Sequence, residues 1–394
     1  MKFVKKQGEY MKFTKLSLVA ALLAGTATFA IDNTKVSGDA KLFYSTSDQG
    51  ANVDLFSKDS SVGEAAVSVA LTTDLTENVS AGFKTTAITT LGLYNNLVSA
   101  TWTGGVTDDY VVSEAWIAAT MGNTTGKIGR MTLDTPLVFT ETWSIVENTF
   151  EAAVLVNQDI PNTTLVGAYV GQHDSAAVIG GGLNPATSPF ASFHSGAYAA
   201  GVVNNSFKPL TVQAWYFDAT HVLSAYWLQA DLACEKIPGL LAGVQYTANK
   251  GKASGSKTND AFAVMLGYEM KDVATVKASY SAVGKDGAAG GNLATGATAQ
   301  SKLYTETWWT YGKVTQEDTT SMNLTVEGNA MGTDLGLYYT NADKDGGDAG
   351  DLDELTLTAS RSYGPLDVTA AYASTALNGG DRFSTLQAYL TLNF

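Results

Sequence analysis

Cysteine is nearly absent: Cys234 is the single one among 394 residues, so no internal disulfide can form. It falls in an expected short turn and reads as an inert thiol, the alternative in an exported chain being a reactive thiol or a pairing between chains. Proline is scarce, at 7. The three histidines, His173, His194 and His221, lie in separate segments. Their spacing gives no sign of a Ser–His–acid set or a paired metal site, which leaves a membrane-embedded enzyme without a visible catalytic group. Gly180-Gly181-Gly182 sits in a loop rather than between a strand and a helix, so it makes no phosphate cradle. Past the amino-terminal segment, no apolar run is long enough for a membrane-spanning helix. Positive charge is also in deficit, with 24 Lys and Arg against 38 Asp and Glu and a net of −14. The first 30 residues hold five lysines and one acid, so the remainder carries 19 basic and 37 acidic residues, net −18. That argues against a nucleic-acid partner, whose phosphates need a basic surface. An acidic wall attracts cations instead.

What is plentiful is strand and turn material: 39 Gly, 18 Tyr and 7 Trp, with abundant Thr, Ala and Val. A hydrophobic share of 45% and a mean hydropathy of +0.01 exclude a disordered chain. The length fits several soluble domains or one large barrel.

Residues 1–30 read as a secretory signal peptide. From Met11 there is a basic start, an apolar middle and small residues ending at Ala30, and Met11 is the better start than Met1. Residues 31–394 then form one exported domain.

The far end is the most informative stretch. Leu386, Ala388, Leu390, Leu392 and Phe394 alternate with Thr385, Gln387, Thr391 and Asn393, and Tyr389 is amphipathic. Period two makes one face of a strand apolar and the other wet. The run has about the ~9–11 residues a tilted strand needs to cross a bilayer. In lipid each unpaired backbone group costs several kcal/mol, so such a strand needs neighbours on both sides and hence a closed barrel. The competing interpretation is the edge strand of a soluble sandwich.

The rest of the chain supplies the neighbours. About eighteen alternating segments follow Ile31, with sixteen as the other even count. In 222–233, Tyr226, Leu228 and Ala230 oppose Gln229 and Asp231; in 261–270, Phe262, Val264 and Leu266 oppose Glu269. The joints alternate long and short, the long ones near 47–63, 90–109, 132–149, 173–192, 250–258, 285–318, 342–350 and 376–381, with only 219–221 short where a long one is due. Tight periplasmic turns and long external loops are the asymmetry of outer-membrane barrels. Tyr44, Tyr198, Tyr216, Tyr226, Tyr246, Tyr268, Tyr280 and Tyr372 sit on apolar parities near strand ends, where an aromatic girdle would lie. The fold class is therefore all-β, a transmembrane antiparallel β-barrel.

The third long connection is apolar enough to fold back onto protein, and the lumen of a wide barrel is the natural place for it. Gly129-Arg130 runs into Asp134-Thr135-Pro136-Leu137 and on to Glu141-Thr142-Trp143. With the signal peptide and the terminal Phe394, this stretch resembles the porins of the epsilonproteobacterial outer membrane, the major-outer-membrane-protein type. The likeness spans the chain in layout, and residues 128–150 carry its motif. It implies an eighteen-stranded homotrimeric channel with the third loop inside the pore. It further implies that Arg130 on the wall faces Asp134, Glu141 and Glu147 on the loop across a constriction, setting a transverse field.

Asp343, Asp345, Asp351 and Glu354 fall at places 1, 3, 9 and 12 of a calcium-loop pattern, but Asp348 replaces the glycine wanted at place 6, which leaves calcium a weak candidate against a solvated acidic loop. The expected function is a passive outer-membrane channel for ions and small hydrophilic solutes, cation-biased, with no catalysis and no cofactor. Its wet face would carry Asp39, Lys41, Gln229, Asp231, Gln245, Glu269, Lys277 and Glu327. Its surroundings would be outer-membrane lipid and lipopolysaccharide. The alternatives are a substrate-selective channel and a plugged adhesin or structural barrel.

Overall fold

The computed structural model describes residues 32–50, 53–103, 106–175, 190–234, 236–296, 299–347 and 349–394. The signal peptide and Met11 lie outside these residues. Eighteen strands follow one another in chain order: β1 (Asp32–Ser47), β2 (Ser61–Thr76), β3 (Val79–Thr89), β4 (Asp108–Met121), β5 (Thr124–Met131) and β6 (Phe150–Asn157). Next come β7 (Thr163–His173), β8 (Ala191–Asn204), β9 (Leu210–Ala219), β10 (Leu223–Ala233), β11 (Leu240–Gly251) and β12 (Thr258–Met270). The last six are β13 (Ala274–Val283), β14 (Thr319–Ala330), β15 (Thr333–Lys344), β16 (Leu352–Tyr363), β17 (Leu366–Leu377) and β18 (Phe383–Asn393).

Each strand pairs antiparallel with its sequence neighbours, and β1 pairs with β18, so the sheet is a closed ring. The seam runs from Asp39 opposite Asn393 to Ser47 opposite Thr385. Beyond it, Gly38 and Phe394 exchange both backbone bonds, at 2.7 and 2.9 Å. Closure leaves no sheet edge to lipid, the requirement that the terminal strand imposed.

Burial is inverted relative to a soluble sheet. Ile117, Ile128, Leu155, Leu228, Val264, Leu266, Met322 and Leu324 are exposed on the outer face. The intervening Ser68, Gln245, Thr247, Ser281, Asn323, Thr356 and Gln387 are buried on the inner one. That is the apolar-out, polar-in order of a barrel in lipid. The connections alternate as expected, including the tight 220–222 turn between β9 and β10. The outward tyrosines Tyr44, Tyr216, Tyr226, Tyr246, Tyr280 and Tyr372 gather toward the long-loop ends of their strands, Tyr198 lies further in, and Tyr268 is near the opposite rim.

Glycine is required at the seam. A Cβ on Gly38 would lie 2.4 Å from the Ser68 carbonyl oxygen and 2.5 Å from the Phe394 ring. Gly38→Val should therefore lower the unfolding midpoint in detergent, at an overpacking cost of roughly 1–3 kcal/mol. Gel mobility of unboiled protein against temperature measures it; an unshifted transition would contradict a tightly packed seam.

Candidate functional site: the narrowed lumen

The inner wall is polar because it faces both water and loops. Residues 132–149, between β5 and β6, fold inward. Leu137, Val138 and Phe139 are buried, and Met131, Leu137 and Val138 pack in one cluster with the inward-facing Phe150, Trp215 and Trp227. The long connection 284–318, between β13 and β14, meets them inside. Leu293 N–H donates to the Leu137 carbonyl at 2.8 Å, and the Asn292 amide donates to the Phe139 carbonyl at 2.9 Å. A third segment, within 90–107, adds Trp102. Its ring lies 4.6 Å from Phe43, 5.3 Å from Trp143 and 5.4 Å from Trp309, so the three loops and β1 share one aromatic cluster.

Loop entry is fixed by carboxylates that accept backbone N–H groups. Glu64 on β2 accepts from Thr103 N–H at 3.1 Å and from its hydroxyl at 2.5 Å. Glu354 on β16 accepts from Trp309 and Thr310 N–H at 2.9 and 3.0 Å. Both carboxyls are fully buried, so loss of the loop donors would leave a buried polar group without its partner.

The four residues expected across the constriction do not form one. Arg130 shares the outward parity of β5 with Ile128, so it points away from the lumen. It pairs with its register partner Glu151 at 2.7 Å, donates to the Val112 carbonyl at 2.8 Å and stacks on Phe190. Glu141 is 2% exposed and serves as a peg: it accepts from Trp143 at 2.7 Å, Asn292 at 2.9 Å and Thr295 at 2.5 Å. Asp134 is open to solvent and pairs with Lys302. Of the four, Glu147 alone pairs with inward-facing wall charges, Lys41 and Lys84, at 3.5 Å each.

The expected wet-face residues all lie on inward parities, with different surroundings. Lys277 and Glu327 pair at 3.6 Å on the walls of β13 and β14. Glu269 is exposed near the short-turn rim. Gln229, Asp231 and Gln245 are instead covered by the long loop. Gln245 is 4% exposed, donates to the Lys302 carbonyl at 2.9 Å and accepts from Tyr304 N–H at 3.0 Å, while the Tyr304 hydroxyl donates to Asp231. Gln245 and Asp231 hold the loop, and Gln229, bonded to both, lies half-buried beside them.

The calcium candidates are not gathered either. Glu354 faces the lumen and holds Trp309, Asp351 accepts from Lys344 N–H at 2.9 Å, and Asp345 pairs with Lys285 at 3.3 Å. Among the described residues no cluster of three or more His, Cys, Asp or Glu is placed to hold a metal.

Sequence reasoning passed over Lys84, Glu114 and Lys127. All three lie on inward parities of β3, β4 and β5, a signal that was available. Lys127 sits 4.1 Å over the Trp116 ring, whose N–H donates to Glu114 at 2.9 Å. With Asp39, Lys41 and Glu147 they make a charged strip along the wall of β1–β5.

No protein-family model and no curated protein matches the chain. Solved structures do. Pseudomonas aeruginosa OccK9 (OpdG) superposes with a TM-score of 0.75 at 14% identity, over 92% of this chain and 99% of that one. OpdK from the same organism, crystallised with vanillate, gives 0.74 at 12% identity over 92% and 99%. OccK11 (OpdR) gives 0.69 at 13% identity over 92% and 96%. OpdK is described as an outer membrane protein. The fold is that of a porin-like outer-membrane barrel.

Two acids outside the barrel strands carry shifted protonation. Desolvation pushes Glu306 up to about 7, opposed by bonds from Ser301 and Thr307. Desolvation likewise raises Asp174 to about 6, against bonds from Thr149 and the charge of Arg130. A carboxyl raised in the folded state binds more protons there than in the unfolded state. Its contribution is full below the unfolded value, near 4.5 for Glu306, and is lost as pH rises through about 7. The barrel's inner loop should thus be held more firmly at pH 5 than at pH 8. Amide exchange at Ser301 and Thr307 should slow on acidification beyond the intrinsic pH effect, and Glu306→Gln should remove that excess; an excess that persists in the variant would refute the assignment.

Proposed function

We propose that the chain is a passive outer-membrane channel of the porin type, passing ions and small hydrophilic solutes. The observation that carries this reading is a closed wall, apolar outside, whose inner face keeps a charged strip beside the inward loops. Passage through such a bore needs weak multisite contact and neither catalysis nor a cofactor. A net of −18 over residues 31–394 supports a cation bias. The motif in residues 128–150 supports the epsilonproteobacterial type.

A homotrimer, bounded by lipid and lipopolysaccharide elsewhere, is supported by the wall at β5 and β6, which are eight residues each. There the outward Arg130–Glu151 pair would sit poorly against acyl chains, and a neighbouring copy would cover it. A substrate-selective channel is the second reading, favoured by the aromatic cluster of Phe43, Trp102 and Trp309 beside Lys41. OpdK holding vanillate is consistent with an aromatic carboxylate as such a solute.

Single-channel recording under a potassium chloride gradient tests the reading. The expected result is discrete steps with a reversal potential on the cation side. Saturable flux of vanillate with block of the ionic steps would favour the selective channel. A silent bilayer would favour a plugged structural barrel and refute the proposal.

A further inference from the structure

We infer that the eight short turns are seated in the lipid of the inner leaflet, and that their apolar tips anchor the barrel there. Each short turn carries an exposed large apolar residue at its tip or within two residues of it. Leu75, Met121, Ile160 and Phe207 serve the first four turns, and Ile237, Val273, Met331 and Tyr363 serve the last four. They are between 49% and 95% exposed, and the terminal Phe394 adds another at the seam. Exposed apolar residues scattered singly need no explanation, but one on every turn of a single rim is a pattern. On the opposite rim, among the described residues, only the first two connections and the tight 220–222 turn show one.

Met331 pays a conformational penalty for its exposure. It holds φ +54° beside Gly332 at φ +74°, the left-handed pair of a two-residue hairpin turn. The first place of such a turn favours Asn, Asp or Gly, and Asn78, Asn162 and Asp272 hold the left-handed φ in other short turns. A methionine there strains the backbone while presenting its side chain outward. Other tips extend rows that already face lipid. Met121 follows Ile117 and Ala119 on β4, and Tyr363 follows Leu357 and Ala359 on β16. The apolar outer wall thus continues onto the turns.

The occupant follows from the ring. A periplasmic protein or a second copy would cover one arc, whereas these residues run all the way round, as only annular lipid does. The height agrees. Nine residues separate Phe207 from Tyr216, Ile237 from Tyr246 and Tyr363 from Tyr372, with the tyrosines toward the long-loop ends. At about 3.3 Å per residue and a tilt of about 40°, that run climbs roughly 23 Å, near the ~25 Å apolar band of such barrels. With the tyrosines at the outer interface, the tips reach the inner one. That rim has no tryptophan anchor. All seven tryptophans lie inside: Trp116, Trp215 and Trp227 on inward parities, Trp102, Trp143, Trp308 and Trp309 on inward loops. Apolar tips at the boundary of headgroups and acyl chains take the place of the aromatic belt.

The test uses the full mature chain folded into phosphatidylcholine vesicles, as wild type, Met121→Trp, Phe207→Trp, Met331→Trp and, on the opposite rim, Lys257→Trp. The native tryptophans face inward, so the emission that each variant adds over wild type reports the new indole. In the three tip variants, bromines near the headgroup end of the acyl chains should quench the added emission more than bromines near the chain ends. Iodide on both sides of the membrane should quench it less than at Lys257→Trp. Lys257→Trp should lose its added emission to iodide and none to brominated lipid, which controls for the pull of indole itself toward lipid. Unboiled gel mobility reports folding, and any one folded tip variant carries the test. Tip emission quenched by iodide and untouched by brominated lipid overturns the inference and marks the turns as open to water or to a periplasmic protein. Bromine quenching of Lys257→Trp equal to that of the tips overturns it as well. Either result leaves the channel reading standing, and a chain that passes no current leaves this inference standing.

Discussion

The bilayer interior offers no water to the peptide backbone, and the whole structure follows from that constraint. An unpaired N–H or C=O in hydrocarbon costs several kcal/mol. A chain of amphipathic strands too short-range in its turns to make anything but a ring therefore has to join its first strand to its last. The seam between β1 and β18 does this, ending in the reciprocal Gly38–Phe394 bonds. Once the ring is closed, the alternation of side chains sorts itself: one parity meets lipid, the other encloses the bore. The even number of strands also brings both chain ends to the short-turn side.

The interior then poses a second problem. An eighteen-strand ring is too wide for side chains to fill, and polar inward residues left alone would simply line water. Here they bind loops. Glu64, Glu354, Gln245 and Asp231 reach in from the wall to loop backbone or side-chain groups, and Glu141 reaches from one loop to another. Aromatic contacts among Phe43, Trp102, Trp143 and Trp309 fill the space between these anchors. The inner surface thus has two sectors. One, over β10 and β11, is covered by the long loop; the other, along β1–β5, carries the partly exposed charges Lys41, Lys84 and Glu147.

The strands were legible because period two is a local property. The long joint expected near 132–149 is the connection between β5 and β6, and the short joint near 219–221 appears as the 220–222 turn. Placement within the lumen was less legible. Arg130 was expected on the wall facing inward, yet one step along a strand exchanges faces, and Arg130 shares the parity of Ile128. Lys84 and Lys127 sit on the inward parity and could have been found by the same rule. Glu141 gave no such clue, because its partners Asn292 and Thr295 are more than 150 residues away in sequence. Gln229, Asp231 and Gln245 faced inward as alternation demands, but nothing local says that Tyr304 lies on top of them.

By itself the sequence determined the strands, their number to between sixteen and eighteen, the order of turns and loops, and the faces of nearly every strand, since each depends on neighbours one or two residues apart. Tertiary structure alone decided which charges meet. Loops from distant parts of the chain enter one bore, and where they touch depends on the shape of the closed ring rather than on any residue's near neighbours. Glu147 thereby became the partner of Lys41 and Lys84, while Arg130 was turned outward to Glu151.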